Sequence, residues 1–186
     1  MNNEDLLNIV SLCKKGNTEA QKKLFYLYNK QMMFVCRRYL STNEECNDIL
    51  TDSFILIFQS LSSYKFINEK TLYSWIRTIV TNQCINYVKK KQREKQIVDI
   101  EQYELLVNKA DDNKEEYEYS QEDLMQCLNN IPERLRLIFN MYVIEEYSIK
   151  EIAIRLETTA NTIKTSLSQA RLMLKQQLVQ IKDKTC

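Results

Sequence analysis

Asn161, Thr165 and Ser168 recur at helical spacing in the C-terminal part of the chain, with Lys164 and Gln169 on their flanks and Thr162 and Arg171 close by. At roughly 100° per residue, Ile163, Leu167 and Ala170 fall on the opposite side of the same helix. Amide side chains can make paired hydrogen bonds to adenine, a threonine methyl can touch thymine, and lysine can hold a phosphate. The same pattern also suits the solvated face of an ordinary helical hairpin. The residues alone leave both readings open.

Two further constellations have definite chemistry. Thr78, Asn82, Asn86 and Lys89 share a polar side face of residues 72–93, which ends in Lys90, Lys91 and Arg93. Amides followed by a cationic cluster suit base edges and phosphates, and a solvated basic helix end is the competing explanation. Glu45, Asp48 and Asp52 form an acidic stripe opposite Leu50, Phe54, Ile57, Phe58 and Leu61. Covalent chemistry is poorly served. Among 186 residues there is no His, one Gly, one Pro and six Cys without a CxxC pair. That removes His-based catalytic triads, His metal sites, glycine-rich phosphate loops and most enzyme classes. No cofactor and no metal ligand set is expected, and the chain is not read as an enzyme.

Helices must position these groups, because no alternating run long enough for a strand occurs. Leu6, Ile9, Val10 and Cys13 give one apolar face that stops near Gly16. A second helix follows Thr18 towards Leu40, a third spans about residues 44–61 and a fourth about 71–91. Further on, Leu124, Leu128 and Ile131 resume the pattern, and Pro132 opens a helix bearing Leu135, Ile138, Phe139 and Tyr142. Ser148 and Glu151 form a capping box before Ile149, Ile152, Ala153 and Leu156. After the polar turn of residues 157–160 a longer helix begins. This is the layout of a helix-turn-helix. The predicted fold is all-α: an N-terminal helical bundle and a C-terminal helix-turn-helix module, joined by an acidic linker.

Charge divides the chain in the same places. Residues 1–93 carry 14 Lys and Arg against 8 acids, residues 94–123 carry 3 against 11, and residues 124–186 carry 9 against 6. Two basic modules flanking an acidic stretch suggest a polyanion held at two places. The cysteines are irregularly spaced and the N-terminus lacks an apolar signal core, so buried, reduced thiols and a cytoplasmic location are expected. No apolar run is long enough for membrane insertion.

The C-terminal segment from Ile131-Pro132 through Ser148, Glu151-Ile152-Ala153, Thr162-Ile163-Lys164 and Ala170-Arg171 resembles bacterial RNA polymerase sigma factors of the extracytoplasmic-function type, in the sigma-70 family. In that family this segment reads the −35 promoter element. Glu157 stands where the turn usually has Gly, and Ser166 and Gln169 occupy positions that are often basic. Asp48, Asp52 and Phe54 resemble the family's polymerase-binding helix, with Thr51 where Gln is usual. Trp75-Ile76, Asn82 and Asn86-Tyr87 resemble its −10-reading helix, with Asn86 in place of a frequent Asp.

The resemblance implies a module like sigma region 2 over residues 1–93, a linker over 94–123 and a module like sigma region 4 over 124–186. By it, Glu45, Asp48, Thr51 and Asp52 contact core RNA polymerase. Tyr64, Lys65 and Phe66, in the loop of residues 62–69, capture an extruded base of promoter DNA. Thr78, Asn82, Asn86, Lys89, Lys90 and Lys91 contact the −10 element, and Asn161, Thr162, Lys164, Thr165, Ser168, Gln169 and Arg171 the −35 element. Anti-sigma factors are usual partners in the family, and no segment of this sequence identifies one. A free-standing helix-turn-helix regulator that needs no polymerase is the alternative. It leaves the acidic stripe and the −10-like helix unexplained.

Overall fold

A computed structural model describes residues 2–94 and 120–185, and every regular element in them is helical. Most of the acidic stretch, residues 95–119, and Cys186 lie outside the described residues. The chain divides into two compact units, the first ending at Tyr87 and the second beginning at Val88.

In the first unit, each early helix starts where a side chain satisfies its open amides. Asn2 and Asp5 make a capping box for α1 (Asn3–Lys14). Gly16 then takes the left-handed conformation, φ 76°, which a β-carbon disfavours. That turn delivers Asn17, whose side chain accepts from the Ala20 amide at 2.9 Å and starts α2 (Thr18–Arg37). Thr42 and Glu45 form the capping box of α3 (Asn43–Ser60), which leads through a 3₁₀ turn (Leu61–Ser63) and a loop into α4 (Glu69–Glu94).

Apolar residues three or four apart turn inward from each helix. Leu6, Val10 and Cys13 come from α1, Leu24, Tyr28 and Met32 from α2, Leu50, Phe54 and Ile57 from α3, and Leu72, Ile76 and Val80 from α4. Full burial of one such aliphatic side chain stabilises by about 1.5–3 kcal/mol. Phe25 and Phe54 join α2 to α3 edge to face, with ring centroids 4.8 Å apart. The buried Cys36 and Cys84 join α2 to α4, their sulfurs 3.8 Å apart as free thiols.

The second unit is built around its last helix. Ser120 and Asp123 cap α5 (Gln121–Asn129), so this helix begins ahead of the first apolar residue of its stripe, Leu124. Then follow α6 (Glu133–Phe139), a π-turn (Asn140–Ile144), α7 (Ile149–Arg155) and α8 (Ala160–Thr185). Helices α5, α6 and α7 all pack on α8. Ile131, Leu135 and Ala170 form a buried cluster flanked by Phe139, Met173 and Leu174. The π-turn had no sequence signal; it closes through the Glu145 amide to the Asn140 carbonyl at 3.0 Å. Among the described residues no helix is long and apolar enough to cross a membrane, and no three His, Cys, Asp or Glu side chains are placed to hold a metal ion.

Candidate functional site

Helix α8 presents the polar face expected of a reader of DNA. Its first turn is capped by Thr159, whose hydroxyl accepts from the Thr162 amide at 3.1 Å and meets the Thr162 hydroxyl at 2.8 Å. Ile163, Leu167 and Ala170 are buried beneath, so Asn161, Lys164, Thr165, Ser168 and Arg171 are all exposed, and Thr162 and Gln169 are half-buried. The Arg171 guanidinium sits over the Tyr142 ring, 5.7 Å from its centroid, which orients a long cation on the edge of this face. Ser166 is buried, so it contributes to packing rather than to that surface.

The preceding helix is set by the predicted capping box. The Ser148 amide donates to Glu151 Oε2 at 2.8 Å, and the Glu151 amide to Ser148 Oγ at 3.3 Å. The Ser148 hydrogen bonds hold the Glu151 carboxyl below the usual range. Glu157, in the turn, has φ 54°. Only a left-handed residue lets the chain reverse so tightly between α7 and α8, which is why glycine suits this position.

In the first unit, Asp48, Thr51 and Asp52 are exposed along α3. Glu45 is half-buried and points back into the fold: one carboxylate oxygen accepts from the Ser41 and Thr42 amides, and the other from the Tyr87 hydroxyl at 3.2 Å. The outward stripe is therefore Asp48, Thr51 and Asp52. Further along, Tyr64 stacks on Trp75 with centroids 4.4 Å apart, while Lys65 is exposed and Phe66 half-buried. Thr78 and Asn86 are exposed on α4, and Asn82 is half-buried between them on the same side.

Models of sigma-70 region 2 and sigma-70 region 4 match residues 24–94 and 121–174, in that order. The chain belongs to the sigma-70 family. Two curated relatives, both RNA polymerase sigma factors, are spanned almost end to end. The sigma-E factor of Haemophilus influenzae is 24% identical over 179 residues, covering 91% of this chain and 93% of that protein. SigV of Bacillus subtilis is 28% identical over 167 residues, covering 89% and 95%. Among solved structures, the sigma factor RpoE of Bartonella quintana, bound to the anti-sigma factor NepR, aligns over 84% of this chain and 95% of that one. The identity is 19% and the TM-score 0.46. This sigma factor of the extracytoplasmic-function type thus works with core RNA polymerase, directing it to promoter DNA without catalysis of its own.

The basic end of α4 belongs to the second unit of the sigma factor, and its cations are not all equivalent. Lys89 Nζ lies 2.9 Å from Glu157 Oε1, and Arg93 pairs with the other oxygen of the same carboxylate. Lys91 Nζ lies 3.0 Å from Glu133 Oε1, with both side chains mostly covered. Lys90 is 77% exposed, and its Nζ lies 3.8 Å from Glu94 Oε1. Sequence reasoning named the three lysines but missed these carboxylates, because Glu133 and Glu157 lie far along the chain. Lys90 is the cation of this cluster most open to a phosphate.

Proposed function

We propose that the exposed face of α8 reads the −35 element, with Asn161, Thr165 and Ser168 at base edges, Lys164 and Arg171 at the phosphate backbone, and Thr162 and Gln169 supporting them. The observation that carries this reading is the sharp division of one capped helix into a buried Ile163-Leu167-Ala170 stripe and an exposed polar stripe. A recognition helix needs that division, since the buried stripe fixes the helix while the polar one is free to enter a major groove.

In the first unit, Asp48, Thr51 and Asp52 dock on core polymerase, where complementary charge speeds encounter and sets register. Thr78, Asn82 and Asn86 of the same unit, together with Lys89–Lys91 at the start of the second unit, meet the −10 region, and the loop of residues 62–69 takes an unstacked base. Capturing that base offsets part of the cost of unstacking it. Residues 1–93 and 124–186 act on the two elements, with the basic helix end from Val88 onward packed in the second unit, and the protein works in the cytoplasm, where polymerase is.

The test is transcription in vitro with core polymerase on a pooled promoter library, with and without this protein. Protein-dependent start sites sharing two spaced upstream elements are expected. Tight duplex binding without polymerase, combined with no new start sites, would overturn the reading in favour of a free-standing regulator.

A further inference from the structure

Helix α1 precedes the matched region 2 segment, yet it holds both ends of the loop that follows α3. At its C-terminal end, Lys14 Nζ donates to the Tyr64 carbonyl at 2.6 Å, across fifty residues of sequence. At its N-terminal end, Asn3 Oδ1 accepts from the Glu69 amide at 3.2 Å. Between these two points the loop is ordered by its own contacts. The Asn68 side chain accepts from the Thr71 amide at 3.0 Å, and the Thr71 hydroxyl donates to the Asn68 carbonyl at 2.9 Å. The Tyr64 hydroxyl reaches Thr71 Oγ1 at 3.4 Å, and its ring lies on Trp75.

We propose that α1 is a brace which fixes the shape of the 62–69 loop before DNA arrives, with Lys14 as its positioning residue. This rests on the reading that the loop receives an unstacked base. A loop ordered in advance does not lose its conformational freedom at the moment of capture, so more of the capture energy opposes base stacking. Lys14 holds a main-chain carbonyl rather than a side chain, so it sets where residue 64 sits whatever that residue then touches. The cation is also bound to the same residue whose ring covers Trp75, which links the brace to an optical signal.

Trp75 is the only tryptophan of the chain, so its emission reports the Tyr64 stack directly in the full-length protein. Lys14→Ala and Lys14→Arg would be compared by Trp75 fluorescence and by the rate of promoter opening with core polymerase. Opening would be followed through permanganate reactivity of unpaired thymines. The alanine variant is expected to shift Trp75 emission and slow opening roughly fivefold, the size of one lost hydrogen bond. Its affinity for core should not change, and the arginine variant should restore both signals. Unchanged emission in Lys14→Ala would overturn the brace, and slower opening beside unchanged emission would mean that Lys14 acts on DNA itself. A shifted emission with wild-type opening would leave the brace standing and sink the base-capture reading instead.

Discussion

The Tyr87 hydroxyl donates to Glu45 Oε1 at 3.2 Å, tying the first turn of α3 to a late turn of α4. The other oxygen of Glu45 serves the capping box with Thr42. A carboxylate occupied in this way stabilises the fold and is poorly placed to meet a partner. Asp48 and Asp52, one and two turns further on, are exposed. The two kinds of acid should separate cleanly by experiment. Glu45→Ala is expected to lower the stability of the first unit by about 1 kcal/mol, the usual cost of a lost cap, and to retain core polymerase while folded. Asp48→Lys with Asp52→Lys is expected to leave thermal unfolding nearly unchanged and to abolish co-purification with core. Retention of core by the double variant would reject the docking assignment.

On α8 the exposed groups divide by chemistry. Asn161→Ala should weaken −35-dependent transcription by about 1–3 kcal/mol and relax preference at one base pair, as loss of a specific contact does. Lys164→Ala should weaken binding on all sequences alike and reduce its salt dependence, as loss of a phosphate contact does. Transcription from a template with a mutated −35 element supplies the comparison. If both variants lose the same fraction on matched and mutated templates, the face does not read bases.

Two glutamates in the second unit occupy left-handed backbone, Glu146 at φ 58° and Glu157 at φ 54°. Side chains with a β-carbon are strained there, so Glu146→Gly should raise stability, by about 0.5–1 kcal/mol after the extra freedom of glycine in the unfolded chain is counted. Glu157→Gly relieves the same strain but also removes the partner of Lys89 and Arg93, so its gain should be smaller. Thermal melts of the two variants decide the point. A lower melting temperature for Glu146→Gly would show that its side chain makes a compensating contact.

The helices were legible because their signals are local. Gly16 marks a helix stop and Ser148 a helix start, and Ile163, Leu167 and Ala170 repeat at helical spacing. Even the strained turn left a trace, as Glu157 at a position where the family has glycine. What could not be read was non-local. Nothing near Glu45 announces Tyr87, nothing near Lys14 announces the Tyr64 carbonyl, and the π-turn of residues 140–144 carries no marker residue. Trp75 shares a helical face with Leu72 and Ile76. Its neighbours Leu72 and Ile76 are fully buried, while Trp75 itself is half-buried under Tyr64, because the loop folds back over that edge of the helix.

Acid provides a separate measure of Glu157. Its carboxyl is held below the ordinary value of 4.5, chiefly by the hydrogen bond from Lys89 and then by Arg93. A depressed carboxyl stabilises the folded chain fully above its unfolded-state value, and that contribution is lost as pH falls through the folded one. Glu157→Gln should therefore melt earlier than the wild type near neutral pH. The two curves should begin to converge only as pH falls below about 4.5, and meet below the folded-state value. Because the groups are exposed, added salt should bring them together as well. A difference that stays constant between about pH 3 and about pH 7 would mean that the carboxylate charge contributes nothing, and that the turn is held by its backbone alone.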